Sequence, residues 1–212
     1  MLNVVFFTFN PFEENTYIIA NEQKQCWIVD PGMFDENEVA TIKDYVSKHQ
    51  LQPQGIINTH AHIDHILGVQ ELVDTYNIPF GIHQDEQPVL DRAADTAAMF
   101  GFRLKNVPRQ SHYISEKETL KLGYDELKVF LTPGHSPGSI SFYYAPGKWV
   151  ISGDVLFSGS IGRTDLPGGD FDTLIASIRT HLFTLPDDTQ VLSGHGPATT
   201  IGDEKADNPF LK

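Results

Sequence analysis

The chain has 212 residues, with 28 acidic side chains against 15 basic ones and a formal charge of −13. A nucleic-acid binder needs a cationic footprint to neutralise phosphates; no Lys/Arg cluster interrupts this acidic field, so nucleic acid is excluded as an expected partner. The single cysteine, Cys26, rules out an internal disulfide and suits a reducing, cytoplasmic compartment, and no apolar run reaches the ~20 residues of a membrane helix.

In chain order, strands are expected at about 2–9, 14–21 and 25–30, broken by the turn signals Asn10-Pro11 and Asn21-Glu22. The apolar start, Met1 to Phe7, has no basic leader and soon meets Glu13 and Glu14, so it reads as a strand rather than a signal peptide. Cys26 falls in the third strand and reads as a small buried hydrophobe. From Asp35 to His49, Val39, Ile42, Tyr45 and Val46 recur at spacings of three and four, which predicts an amphipathic helix. The apolar run Gly55-Ile56-Ile57-Asn58 is followed by a ligand-rich loop. A helix from Ile66 to Tyr76 is expected to point its N-terminus at those ligands. Asn77-Ile78-Pro79 opens a strand ending near His83, and a helix is expected from about Pro88 to Phe100. Strands return at about 111–114, 126–132, 138–145 and 148–152. A last helix, Phe171 to Phe183, carries Leu174, Ile175, Ile178 and Leu182 on one face. No linker, repeat or low-complexity tract divides residues 1–212, so one domain of two stacked sheets flanked by helices is expected.

Chemistry concentrates in Thr59-His60-Ala61-His62-Ile63-Asp64-His65, three imidazoles and a carboxylate within seven residues. Imidazole nitrogen and carboxylate oxygen suit zinc, iron or manganese. The same grammar, an apolar run followed by a turn and a ligand-type side chain, recurs three times. His135 lies in Thr132-Pro133-Gly134-His135-Ser136-Pro137-Gly138, Asp154 in Ser152-Gly153-Asp154, and His195 in Ser193-Gly194-His195-Gly196. Seven donors are too many for one tetrahedral ion and suit two. His60, His62 and His135 are assigned to one metal, Asp64, His65 and His195 to the other, and Asp154 bridges them. Two such ions about 3.5 Å apart share a water and lower its pKa, so a metal-bound hydroxide is the expected nucleophile. Asp64 would also orient that nucleophile and accept its proton. Zinc is the default for a hydrolase, with iron and manganese as alternatives. His49, His83, His112 and His181 have no ligand partners in their motifs and read as structural. Asp165 and Asp170 read as loop and N-cap residues.

These motifs resemble the metallo-β-lactamase superfamily, and within it the compact bacterial glyoxalase II-like (hydroxyacylglutathione hydrolase) branch. The resemblance runs from the first strands through His195. It is carried by the two histidine motifs, by Gly153-Asp154-Val155-Leu156-Phe157 and by the stretch from Ser160 to Asp170. It implies an α/β protein with an αββα sandwich of two mixed β-sheets flanked by helices and a dinuclear site at one edge. It also implies hydrolysis of S-lactoylglutathione or a related small-molecule acyl thioester. A thiolate leaves without prior protonation, because thiol pKa values lie near about 8.5, and this suits a chain with no obvious general acid.

By the same resemblance, Arg163 takes the place of a cationic side chain that helps to hold glutathione. Two departures stand against a complete glutathione site. Pro197 replaces a tyrosine of the larger members, and their C-terminal helical glutathione-binding domain is not expected in a chain that ends soon after His195. The alternatives are a persulfide dioxygenase, with one iron on His60, His135 and Asp154, or another ester or lactone metallohydrolase. The best-known zinc β-lactamases use a cysteine ligand, and Cys26 is far from every motif. Oligomeric state is not legible.

Overall fold

The computed structural model describes residues 1–102, 104 and 106–212. Six strands form the first sheet in sequence order: β1 (Asn3–Phe9), β2 (Glu14–Ala20), β3 (Gln25–Val29), β4 (Gln52–Ile57), β5 (Phe80–Ile82) and β6 (His112–Tyr113). The pairs β1–β2 and β2–β3 are antiparallel, and the remaining three pairs are parallel. Crossovers between parallel strands need covering helices. These are α1 (Glu36–Lys48), α2 (Val69–Tyr76) and the pair α3 (Gln87–Asp91) and α4 (Ala93–Met99).

The second sheet begins with β7 (Thr119–Leu122), β8 (Asp125–Leu131), β9 (Ile140–Tyr144) and β10 (Trp149–Gly153). A small hairpin, β11 (Leu156–Phe157) and β12 (Ser160–Ile161), leads to helix α5 (Phe171–Thr180). The sheet is completed by β13 (Gln190–Ser193) and β14 (Thr199–Thr200), with helix α6 (Ile201–Asp207) after them. Its strand order is β14-β13-β10-β9-β8-β7, with only β10 and β13 parallel. No helix among the described residues is long and apolar enough to cross a membrane.

Side chains alternate across a strand, and that period of two sorts the core into layers. Ile18 and Ile28 point to the helical side with Ile42, Val46 and Leu72, and Cys26 is buried among them. Tyr17, Ile19, Trp27 and Val29 face the second sheet and meet Val129, Phe142 and Ile151 there. On the far side of that sheet, Phe130, Val150 and Val191 pack with Leu174 and Ile178 of α5. The result is the expected αββα sandwich.

Helix α1 follows its prediction because Asp35 caps it, accepting from the Asn37 and Glu38 N–H groups. The helix expected from Ile66 starts later. One 3₁₀ turn, Ile63–His65, closes the ligand loop, and the Gly68 N–H is bonded to Pro31 O at 2.8 Å instead of entering a helical ladder. Gly68 also sits so close to Met33 and Pro31 that a Cβ would stand 2.5 Å from Met33 Cε. The helix expected over 88–100 is two short helices joined at Arg92, whose N–H bonds three residues back to Val89 O. The last predicted helix stops at Thr180 and is followed by a separate 3₁₀ turn, Leu182–Thr184. The strands β7 and β14, the β11–β12 hairpin and α6 were not predicted.

Candidate metal centre

Strand ends deliver the seven candidate ligands to one place. The loop after β4 carries His60, His62, Asp64 and His65; His135 follows β8, Asp154 follows β10 and His195 follows β13. Because β10 and β13 run parallel, Asp154 and His195 leave the sheet on the same edge. Their closeness depends on Gly194, where a Cβ would overlap Asp154 Oδ1 and stand 2.8 Å from His65 Cε1.

Six of the seven donors gather as two groups of three, and Asp30 forms a further group with His60 and His65. Ligand atoms of His60, His62 and His135 lie within 4.8 Å of one another, as do those of Asp64, His65 and His195. Asp154 faces both groups: Oδ1 is 3.5 Å from His65 Nε2, and Oδ2 is 3.5 Å from both His135 Nε2 and His195 Nε2. The side chains assigned to each set thus lie near one another, with Asp154 between the two sets.

Four imidazoles are held by hydrogen bonds on Nδ1, which leaves Nε2 as the lone-pair nitrogen. His135 Nδ1 donates to Arg163 O at 2.8 Å, His195 Nδ1 to Phe12 O at 2.9 Å, and His65 Nδ1 to Asp30 Oδ2 at 3.1 Å. The Thr59 hydroxyl gives its proton to Asp30 Oδ2 at 2.5 Å, so its oxygen accepts from His60 Nδ1 at 3.0 Å. His62 is the exception: its Nδ1 faces inward, 2.8 Å from His135 Nε2. Oriented imidazoles of this kind are what metal ligation requires.

The centre also has the electrostatics of a cation site. His60 Nε2, His65 Nε2 and Asp154 Oδ1 are buried without hydrogen-bond partners, an arrangement that is costly unless something else satisfies them. Burial and the adjacent imidazoles hold His60 well below its ordinary range, and burial with His135 pushes His62 down to about 3. Both are thus neutral, the ligating form. At His65 burial opposes charge, but Asp154 and Asp64 outweigh it and push the imidazole well up. The carboxylate Asp154 is held well below its ordinary value, against burial, by His65, His135 and His195. Asp64 and Asp154 thus favour positive charge between them, which a divalent cation would supply in place of the His65 proton, so the donor set fits two such ions.

Three buried carboxylates near the ligands escaped the sequence reading. Asp30, at the end of β3, accepts from Thr59 N–H at 2.7 Å as well as from the Thr59 hydroxyl and His65. It directly follows an apolar run and precedes the turn Pro31-Gly32, so the partial signal of a carboxylate at a strand end was available, with turn and carboxylate in the reverse order. Glu14 is buried 3.8 Å from His65 Nδ1, and Glu86 is buried behind the two histidine loops. Neither had a sequence signal, because an isolated Glu is ordinarily a surface residue.

The other four histidines and Asp170 take capping and packing positions. His83 caps the 3₁₀ turn Gln84–Glu86, and His49 and His181 cap the C-termini of α1 and α5. His112 packs under Gly81. Asp170 caps α5 by accepting from the Thr173 N–H at 2.7 Å. The Arg163 guanidinium forms a two-pronged pair with Asp165, at 2.7 Å on each prong, and is largely exposed. Arg163 also borders a cleft of about 580 Å³ that opens onto His62, Asp64, His135, Asp154 and His195. Phe12, Val89, Phe100, Phe157 and Leu166 give this cleft apolar walls.

Fold and site together define the class, an αββα protein with a dinuclear metal site where its strand ends meet. The chain belongs to the metallo-beta-lactamase superfamily, whose family model matches residues 9–195. It is 43% identical over 203 residues to the probable metallo-hydrolase YqgX of Bacillus subtilis, across 95% of this chain and 93% of that protein. It is 35% identical over 214 residues to hydroxyacylglutathione hydrolase GloC of Haemophilus influenzae, across 99% and 98%. Among solved structures, the BLEG-1 B3 metallo-beta-lactamase is similar with a TM-score of 0.91 and 40% identity, covering 99% of this chain and 100% of that one. TTHA1623 in a di-iron-bound form is similar with a TM-score of 0.86 and 37% identity, covering 98% and 100%.

Proposed function

We propose that the protein is a glyoxalase II-like thioester hydrolase acting in the cytoplasm on S-lactoylglutathione or a related acyl thioester. The observation that carries this reading is the chemistry of the cleft wall. Among the described residues, and apart from the candidate ligands, its polar side chains are Arg92, Thr96 and Arg163. A guanidinium does not give up its proton, and a threonine hydroxyl is too weak an acid to do so near neutrality. An alkoxide or amide nitrogen needs a proton in order to leave, which here only a candidate ligand such as Asp64 could return, whereas a thiolate needs none. The name of the Haemophilus influenzae relative supports the same substrate class.

In this reading His60, His62 and His135 hold one ion, Asp64, His65 and His195 hold the other, and Asp154 faces both. Two bound dications, assigned as zinc, supply Lewis acidity and lower the pKa of a water. Asp64 borders the cleft with Oδ2 3.2 Å from His195 Nε2, a position from which it orients the attacking water and takes its proton. The unpartnered Nε2 of His65 favours two ions over the single iron of a dioxygenase. Lactam hydrolysis is the second reading, favoured by the likeness to a B3 metallo-beta-lactamase.

Purified, metal-analysed protein is expected to turn over S-D-lactoylglutathione with two metal equivalents per chain. Negligible turnover at full loading would reject the thioester reading and make a β-lactam the next substrate. Negligible turnover with one iron would send the test to a persulfide and oxygen uptake. Arg163→Ala is expected to raise KM for a glutathione thioester more than it lowers kcat. An exposed ion pair contributes up to ~1 kcal/mol, so the rise is roughly two- to fivefold. An unchanged KM would remove Arg163 from substrate binding.

A further inference from the structure

Glu86 is completely buried, yet its carboxylate touches none of the candidate ligand side chains. It ends the short 3₁₀ turn Gln84–Glu86 after β5, and both of its oxygens are used. Oε2 accepts the Ala61 N–H at 2.8 Å, while Oε1 accepts the Gly138 N–H at 2.7 Å and the Ser136 hydroxyl at 2.5 Å. Ala61 lies between His60 and His62, and Ser136 directly follows His135. One carboxylate thus ties together the two loops that carry the three-histidine set.

The fit between these segments is close. A Cβ on Gly138 would stand 2.7 Å from Glu86 N and 2.9 Å from Asp85 C, so only glycine lets the second loop approach. The other set is held by contacts that Glu86 does not make: Asp30 holds the His65 ring and reaches His60 through the Thr59 hydroxyl, Asn58 Nδ2 donates to His65 O at 2.8 Å, and Asn10 Nδ2 donates to Asp64 O at 3.0 Å. The segment following Glu86 supplies Val89, Arg92, Thr96 and Phe100 to the cleft wall. The brace between the histidine loops and one face of the cleft are therefore parts of one short stretch of chain.

We propose that Glu86 is a positioning residue that fixes His60 and His62 relative to His135, and so sets the affinity of the three-histidine metal independently of its neighbour. This rests on the ligand division given above. Glu86→Gln keeps the size of the side chain but turns an NH₂ donor toward either the Ala61 N–H or the Gly138 and Ser136 donors.

The test titrates cobalt(II) into metal-stripped full-length protein against a competing chelator, read by the ligand-field absorption, with folding checked by circular dichroism. Glu86→Gln is expected to weaken one of two equivalents by about 10- to 100-fold, the range for losing a partner behind a ligand, and to alter that equivalent's spectrum alone. Ser136→Ala is expected to weaken the same equivalent by less. Two unchanged affinities in folded Glu86→Gln, or equal weakening of both, would overturn the proposal. If Glu86→Gln does not fold, two unchanged affinities in Ser136→Ala overturn it instead. Wild-type protein that binds fewer than two equivalents refutes the ligand division itself, a result distinct from failure of the Glu86 role.

Discussion

His62→Ala is expected to lose one metal equivalent and nearly all hydrolysis while the fold persists. The side chain is suited to this test because it lies in a loop, is only partly buried and is absent from the hydrophobic core clusters. Among the described residues its hydrogen-bond contact is the inward approach of Nδ1 to His135 Nε2 at 2.8 Å. Truncation therefore removes a metal donor with little packing. Three converging imidazoles become two at a site where charge develops in the transition state. Loss of a single contact to such charge costs about 10²–10³ in kcat, so a fall of at least about a hundredfold is expected. Metal analysis, activity and a thermal melt on one preparation separate the three effects. Full metal content with full activity would reject His62 as a ligand.

Asp30→Asn is expected to damage both metal positions and the fold together, unlike the selective effect assigned to Glu86. Asp30 has a φ of 50°, in the left-handed region that Asn tolerates, so the backbone is spared and the test falls on the carboxylate. That carboxylate receives three donors: the Thr59 N–H, the Thr59 hydroxyl and His65 Nδ1. An amide offers one oxygen and sets an NH₂ against at least one of them. If the Thr59 hydroxyl turns away, the proton on His60 Nδ1 loses its acceptor as well. Leaving a buried donor unsatisfied costs ~1–3 kcal/mol, and displaced ligand partners cost about 10- to 100-fold in metal affinity. A denaturant melt and a metal titration should both move. Stability and both affinities at wild-type levels would show that Asp30 does not orient His60 and His65.

The candidate ligand types and the layered fold were legible because each is written in short-range pattern. A histidine and carboxylate loop after an apolar run needs no distant information to be read as a strand end with metal donors. The alternation in Tyr17-Ile18-Ile19 and Cys26-Trp27-Ile28-Val29 likewise encodes two buried faces, and hence a layer on each side. The departures have tertiary causes. The helix after the ligand loop starts at Val69 because Gly68 is bonded to Pro31, a partner across the fold.

What the sequence by itself determined was which side chains could bind metal and which strands would carry them. Only the tertiary structure decided how those side chains are aimed, because the supports join residues far apart in the chain. Thr59 and Asp30 are separated by 29 positions, Ala61 and Glu86 by 25, and Gly138 and Glu86 by 52. A lone Glu or Asp reads as a solvated charge until donors from other segments surround it. Burial without them would cost several kcal/mol, ~2–7 for a polar group and more for a charge. Folding brings those donors together, and a residue that composition would place on the surface then sits at the centre of the site.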